Sequence, residues 1–440
     1  MPVRSDAAAD APARVRDPAS DLLGIVAESS APVLKQRDAL RRAASSLLYR
    51  SEADTAGQHR TVWCGRTLLG ATAGVYRAVD GTRARLSGIC TCTCVWTCPM
   101  CALQVAEHRR AELTYGMWQW SKGGGHVYLL TQTFRHSRFD CLPELLAKFR
   151  AAQKRFKQST AYKRVSQIVG RRGGVRSVET TWGVENGWHP HAHELLFYTA
   201  DLGRMPGVRM VVDPERGPRY VGGVVSELRG AWVASLASEG LDGTEERAFD
   251  IRPGDYAAEY VAKFGRDVDG WNVQDELTSQ HAKVGKLIGG LTRFSPFQML
   301  ALWAAGDRSH PWGELFRAYA AAFAQQRMLY WSPKLKGLVG IREKTEEEIM
   351  SDLGLDRARP DEERIAALTV AQYAVIYSRG AIGTLLEMVK ALPDTDEAQR
   401  TINDYVEFLR GRPRICQERM RYRRQGDRGP VEYNAREWAV

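Results

Sequence analysis

The segment that most constrains this chain is residues 175–198, VRSVETTWGVENGWHPHAHELLFY. His189, His191 and His193 occupy alternate positions and lead into Leu195-Leu196-Phe197-Tyr198. Side chains two apart on a strand project from one face, so a strand here presents His191 and His193 together, at a reach suited to one metal ion. The apolar run that follows marks a strand covered on both faces, hence an interior one. Ahead of it, Glu185-Asn186-Gly187 reads as a three-residue hairpin loop closed by Gly187 in the left-handed region. That register places Glu179 opposite His193, and Thr181 opposite His191, on the same face. A two-residue Asn-Gly loop would shift the pairing by one and send Glu179 to the other face. With the three-residue loop, Glu179, His191 and His193 form a mixed oxygen and nitrogen set suited to Mg²⁺ or Mn²⁺ with open coordination positions. A bare His-x-His more often marks a structural zinc site or two solvated histidines, so the rest of the chain has to decide.

Composition narrows the partners. At 440 residues the chain has room for two or three domains, and 44% hydrophobic with 26% charged residues is globular. A net charge of +10 favours a polyanionic partner, of which nucleic acid is the commonest, although a solvated basic surface also accounts for it. Of eight cysteines, five crowd into residues 90–101, which is metal-ligand spacing rather than a disulfide framework. Cys98-x-x-Cys101 is a knuckle whose thiolates can share a tetrahedral Zn²⁺. Cys64 with Cys92 completes the expected set, with Cys94 the next choice. The role expected is structural, and the alternative is a group of unligated buried thiols. No window of about twenty apolar residues is present, so no membrane span is expected. No basic start leads into an apolar core, so no signal peptide is expected either, and a cytoplasmic location follows.

In chain order, residues 1–58 read as an Ala/Asp/Ser-rich arm followed by a basic helix. Residues 59–122 hold the cysteine module and a helix opened by Pro99. Residues 123–340 form the main domain, and residues 341–440 a helical region with a basic tail. Within the main domain, residues 126–134 read as a strand and residues 141–158 as a basic amphipathic helix. Lys154 and Arg155 on that helix, with Arg171 and Arg172 ahead of the hairpin, are candidate nucleic-acid contacts, although a solvated helix face is the commoner explanation. Residues 201–222 read as a Gly/Pro/Arg-rich loop, 224–239 as a helix and 247–252 as a short strand. A short helix follows, framed by Asp255 as N-cap and Gly265 as stop. Tyr256, Tyr260 and Lys263 share one face of it. The plain alternative is that the tyrosines pack and Lys263 is solvated.

A metal-binding hairpin followed by a Tyr-x-x-Lys helix suits phosphodiester transfer. A divalent ion polarises the scissile phosphate, and a phenol attacks phosphorus to give a phosphotyrosine. Tyrosine, with a pKa of about 10, leaves more easily than an aliphatic alcohol, so the step can reverse.

At this point the sequence resembles a known family. Trp188-His189-Pro190-His191-Ala192-His193 resembles the His-hydrophobic-His motif of rolling-circle replication initiators, and Tyr260-Val261-Ala262-Lys263 resembles their catalytic tyrosine motif. Leu129-Leu130-Thr131-Gln132-Thr133 is similar to their first motif. The cysteine segment, residues 92–101, resembles that of initiators from Gram-positive and especially actinobacterial plasmids. Residues 293–300 and Trp331-Ser332-Pro333-Lys334-Leu335 are similar to downstream segments of the same group. The resemblance spans roughly residues 60–340; residues 344–440 match nothing named. It implies an α+β fold, with a ferredoxin-like antiparallel sheet, flanking helices and a central His-bearing strand. It implies Tyr260 as nucleophile, Lys263 as its partner, and an enzyme that nicks plasmid origin DNA, single-stranded at the nick, and later rejoins it. Host helicase and polymerase would be partners. Some relatives place a Glu four residues before the tyrosine. Here that residue is Tyr256, a spacing similar to that of two-tyrosine members. Two other readings compete: a relaxase or single-strand transposase with the same site, or a non-enzymatic DNA-binding regulator in which the histidines complete a structural zinc site. Relaxases usually place the tyrosine before the histidines.

Overall fold

The computed structural model describes residues 31–50, 58–213, 217–254, 293–342, 344–354, 358–392, 395–414, 421–422 and 431–432. Tyr256, Tyr260 and Lys263 therefore lie outside the described residues.

The chain opens with α1 (Ala31–Leu48), β1 (Thr67–Leu68), β2 (Thr72–Ala78) and β3 (Ala84–Ser87). Next come α2 (Pro99–Lys122), β4 (His126–Gln132), α3 (Leu142–Gln158) and α4 (Thr160–Ile168). Pro99 starts α2 because its fixed φ suits the first turn, where no donor is needed. The hairpin β5 (Arg171–Gly183) and β6 (Gly187–Tyr198) follows, then β7 (Arg209–Asp213) and β8 (Gly217–Val221). After α5 (Gly223–Ser238) and α6 (Glu245–Ala248) comes β9 (Phe249–Pro253). The chain resumes at β10 (Arg293–Phe294), then α7 (Pro296–Ala304), α8 (Trp312–Phe323), β11 (Tyr330–Trp331) and α9 (Leu335–Leu338). A reciprocal capping box between Ser295 and Gln298 starts α7. Last come α10 (Glu346–Gly354), β12 (Glu362–Thr369), α11 (Val370–Ser378), α12 (Ile382–Lys390), α13 (Thr395–Arg410), β13 (Arg421–Tyr422) and β14 (Val431–Glu432).

The fold is α+β. Among the described residues its main sheet has eight strands, in the order β10-β5-β6-β4-β9-β8-β7, with β11 also on β5. Its ladders are antiparallel. The His-bearing strand β6 lies between β5 and β4, so it is interior. Every residue from Ala192 to Tyr198 is buried, whereas His189 and His191 are only partly so. One face of the sheet is covered by α3 and α5, where Phe149, Phe156, Trp232 and Phe249 pack edge to face. On the other face Trp120 of α2 packs on Phe197 at 6.0 Å, which covers that end of β6.

Two expectations are corrected here. Residues 201–222 are more than a loop, because β7 and β8 pair as a hairpin that extends the sheet. The region beyond residue 341 is not purely helical. Its strand β12 runs antiparallel to β2 over Glu362 to Thr369, in a second sheet ordered β12-β2-β3. Leu68, Val75, Ile365, Leu368, Tyr373, Ile376, Leu385 and Ile402 form one core there. The stretch between Cys64 and Cys90 thus packs with the C-terminal helices. No helix among the described residues is long and apolar enough to cross a membrane.

Candidate metal centres

The tip of the β5–β6 hairpin sets the main site. Gly183 pairs with Gly187, so the loop is residues 184–186, one residue earlier than expected. Gly187 has the expected left-handed backbone (φ 69°), and a Cβ there would lie 2.7 Å from the Arg138 Cα. Only glycine satisfies both conditions. The pairing moves by two residues from the expected register: Glu179 faces His191, Thr181 faces His189 and Ser177 faces His193. A shift of two preserves the face, so the same three side chains still meet.

Their ligand atoms lie within 4.8 Å of one another, with His191 Nε2 at 3.7 Å from Glu179 Oε2. Two ligand atoms around one Mg²⁺-sized ion lie about 3.0 to 4.2 Å apart, depending on the angle between them. The His191–Glu179 separation falls in that range, so the group could hold such an ion, with three protein ligands leaving coordination positions open. The rings are oriented from behind. His191 Nδ1 donates to the His189 carbonyl at 3.2 Å, which leaves the Nε2 lone pair for the ion. His193 Nδ1 meets Thr131 Oγ1 at 3.0 Å, on the strand directly opposite.

His189 belongs to a second group. His136 Nδ1 donates to the Asn186 carbonyl at 2.7 Å, so its Nε2 accepts from His189 Nδ1 at 2.6 Å. His189 Nε2 in turn faces Thr133 Oγ1 at 3.4 Å. Burial holds His189 well below the usual imidazole range, and His191, Arg293 and His136 add to this. Burial also lowers His136. In this relay His136 and His189 each donate through Nδ1. The residues that sequence reasoning left without a role here are Thr131, Thr133, His136 and Arg293. The Leu129–Thr133 run carried a signal for the two threonines, and the resemblance over residues 293–300 included Arg293.

The second centre is the cysteine group. Cys64, Cys92, Cys98 and Cys101 are all buried, with sulfurs within 4.8 Å of one another. Cys64 lies 3.7 Å from Cys101 and 3.5 Å from Cys98, and Cys92 lies 3.6 Å from Cys101. A tetrahedron of thiolates at the usual zinc–sulfur length has edges of about 3.8 Å, so these sulfurs suit Zn²⁺. Thr93 has a left-handed backbone (φ 54°), which breaks the alternation of Cys90, Cys92 and Cys94 and turns Cys94 to the Cys92 carbonyl at 3.2 Å. Hydrogen bonds from the other three sulfurs hold the Cys64 thiol well below its usual range. Burial drives Cys92 well above it, because a buried group of thiols cannot share several charges without a cation. The four cysteines form a group of their own, separate from the histidines.

The expected nucleic-acid contacts divide. Arg171 Nη2 sits 3.1 Å from Glu194 Oε1, a carboxylate buried on the sheet face opposite His193; its place is to neutralise that charge. Arg155 Nε pairs with Glu239 at 2.8 Å. Lys154 and Arg172 are exposed. Lys154 and Arg155 ride on α3, behind the sheet from the Glu179–His191–His193 face.

Residues 83–202 match a family model described as replication protein, a span that holds the cysteine segment and the histidine hairpin. The chain is 26% identical over 327 residues to the "Protein rep" of Streptomyces lividans, covering 61% of this chain and 67% of that one. It is 28% identical over 149 residues to a "Neomycin resistance protein" of Streptomyces cyanogenus, covering 28% of this chain and 34% of that one. No solved structure matches.

Proposed function

We propose that this chain, a plasmid Rep of the Gram-positive actinobacterial type, starts rolling-circle replication by nicking its origin and later rejoining the displaced strand. The observation that carries this reading is the Glu179–His191–His193 group, two histidines of the interior strand β6 and a carboxylate of the neighbouring β5 whose ligand atoms converge. The ferredoxin-like nuclease arrangement and the domain limits at residues 58, 122 and 340 belong to the same reading.

Glu179, His191 and His193 hold Mg²⁺ or Mn²⁺, and Cys64, Cys92, Cys98 and Cys101 hold Zn²⁺. When bound at the first site, the divalent ion offsets charge developing on the scissile phosphate. The Tyr260 oxygen bonds to phosphorus as the P–O3′ bond breaks. The phenol gives up its proton and the departing 3′ oxygen gains one, leaving a 5′-phosphotyrosine and a free 3′-OH primer. Lys263 steadies the phosphate or the ionised phenol. In the return step a 3′-OH attacks the phosphotyrosine and the phenol leaves. Tyr256 is a candidate second nucleophile at termination. Lys154 and Arg172 are candidate DNA contacts. The protein works in the cytoplasm with the host helicase and polymerase.

The test uses supercoiled plasmid carrying the DNA that flanks the gene. Wild-type protein nicks it with Mg²⁺ or Mn²⁺ and stops in EDTA. Tyr260→Phe and His191→Ala each abolish nicking, and Tyr260→Phe forms no covalent DNA adduct. Nicking that survives EDTA, or an adduct that survives Tyr260→Phe, would overturn the assignment.

A further inference from the structure

Arg293 opens β10, and its pairing places it. It sits opposite Gly183 on β5, and Gly183 shares its face with Thr181 and Glu179 by strand alternation. Directly paired residues of an antiparallel ladder project to one side. Arg293 therefore stands on the metal-binding face, beside the turn of the histidine hairpin. Its guanidinium is felt by both His136 and His189.

The other arginines of this sheet with partly covered side chains are engaged. Arg171 meets Glu194, Arg219 meets Asp213, Arg252 meets Asp250, and Arg176 donates to Gln153 at 2.9 Å. Arg293 is half-buried and, among the described residues, has no carboxylate and no hydrogen-bond acceptor. Burial lowers its pKa, and no acid among the described residues offsets the cost. A half-desolvated guanidinium without a counter-ion is unfavourable unless an anion arrives to pair with it. Gly183 and Gly187, the next two residues of its row, carry no side chains, and the backbone of residues 137–138 packs over Gly187.

We propose that Arg293 is the phosphate-binding arm of this face: its planar fork takes a backbone phosphate of the single strand, beside the phosphate held at Glu179, His191 and His193. The inference rests on the nicking reading for the identity of the anion as DNA. Arginine suits the task because two parallel N–H donors match two phosphate oxygens. The contact also fixes which way the strand runs across β6, and so which phosphodiester meets the metal.

The experiment measures binding of a dye-labelled oligothymidylate by full-length protein across a salt series. Each phosphate contact with a single strand contributes about 0.7 to the slope of log K against log salt. Arg293→Gln should reduce the slope by that amount and weaken binding by about tenfold. Arg293→Lys should keep the slope. Mn²⁺ affinity and the melting temperature should not move in either variant, and Arg293→Met serves if the glutamine variant fails to fold. In the nicking assay Arg293→Gln should raise KM more than it lowers kcat. An unchanged salt slope in Arg293→Gln and Arg293→Met overturns the role of Arg293 while leaving the nicking reading intact. A wild type that binds with the expected slope difference but never nicks DNA overturns the nicking reading and leaves the phosphate arm.

Discussion

At the scale of single residues, the charge most exposed to consequence is Glu194. It is fully buried on β6, behind His193, with Lys157 Nζ at 2.9 Å and Arg171 Nη2 at 3.1 Å. Burial alone would raise its pKa, but Lys157, Arg171 and Arg176 together pull it down to about 2. A carboxylate whose folded pKa is depressed contributes stability that is present above its unfolded value and lost as pH falls through the folded one. The window here runs from about 4.5 down to about 2. Removing the charge strands three cations, and breaking a buried pair from one side costs about 3–5 kcal/mol. Glu194→Gln should therefore lower unfolding free energy by that amount near pH 7. The gap between variant and wild type should close as pH falls below 4. A urea titration at several pH values checks it, and a gap that stays constant down to pH 2.5 would show that the ion pairs are not its source.

At the scale of elements, the cysteine segment is the one whose local structure depends on something outside its own chain. Residues 88–98 form no helix or strand beyond isolated bridges, yet Cys92, Val95, Trp96 and Cys98 are buried. Across the group, Arg41 and Tyr373 hold the backbone beside the fourth cysteine, through the Cys64 carbonyl and, at 2.5 Å, the Gly65 carbonyl. Four converging sulfurs without an ion would leave a charged or frustrated pocket at the centre of that packing. Cys98→Ser should reduce bound zinc, measured by elemental analysis, from one per chain to near zero. The melting temperature should fall with it, since binding free energy here is folding free energy. Wild-type protein that purifies folded without zinc would end the idea. The hairpin offers the contrasting case: its site needs no ion to form, because Gly187, the Asn186 carbonyl and His136 lock the tip.

At the scale of the molecule, residues beyond 341 are structural partners of residues 67–89. Strand β12 pairs with β2, and Tyr377 Oη receives Arg41 at 3.0 Å and Arg66 at 3.3 Å. A chain ending at residue 340 would expose Leu68 and Val75 and unpair the edge of β2. Such a chain should be aggregation-prone and poor in zinc, although every residue of the nicking reading lies before its end. If it purifies as a monomer with full zinc content, the second core is dispensable and the two parts are separable.

What could be read from the linear chain is what local chemistry dictates. Alternation placed His191 and His193 on one face, the apolar run made β6 interior, and the Cys98-x-x-Cys101 knuckle marked a thiolate site. These follow because side-chain direction and ligand spacing are set within a few residues; the choice of Cys64 and Cys92 over Cys94 was settled by the fold, which brings Cys64 across 28 positions and turns Cys94 away. Distant contacts decided the rest. The hairpin register depends on how residues 136–138 receive the tip, so it moved by two even though the face did not. The pairing of β12 with β2 joins segments nearly 300 positions apart, as does the salt bridge from Arg77 to Glu363 (|i−j| = 286), and no periodicity carries such a signal. Arg171 looks like any surface arginine until its neighbour across the ladder proves to be a buried Glu194. Arg293 sits on a strand of two residues, too short for any pattern. Local propensity determines what each segment can present; only the closed fold determines what is presented to what.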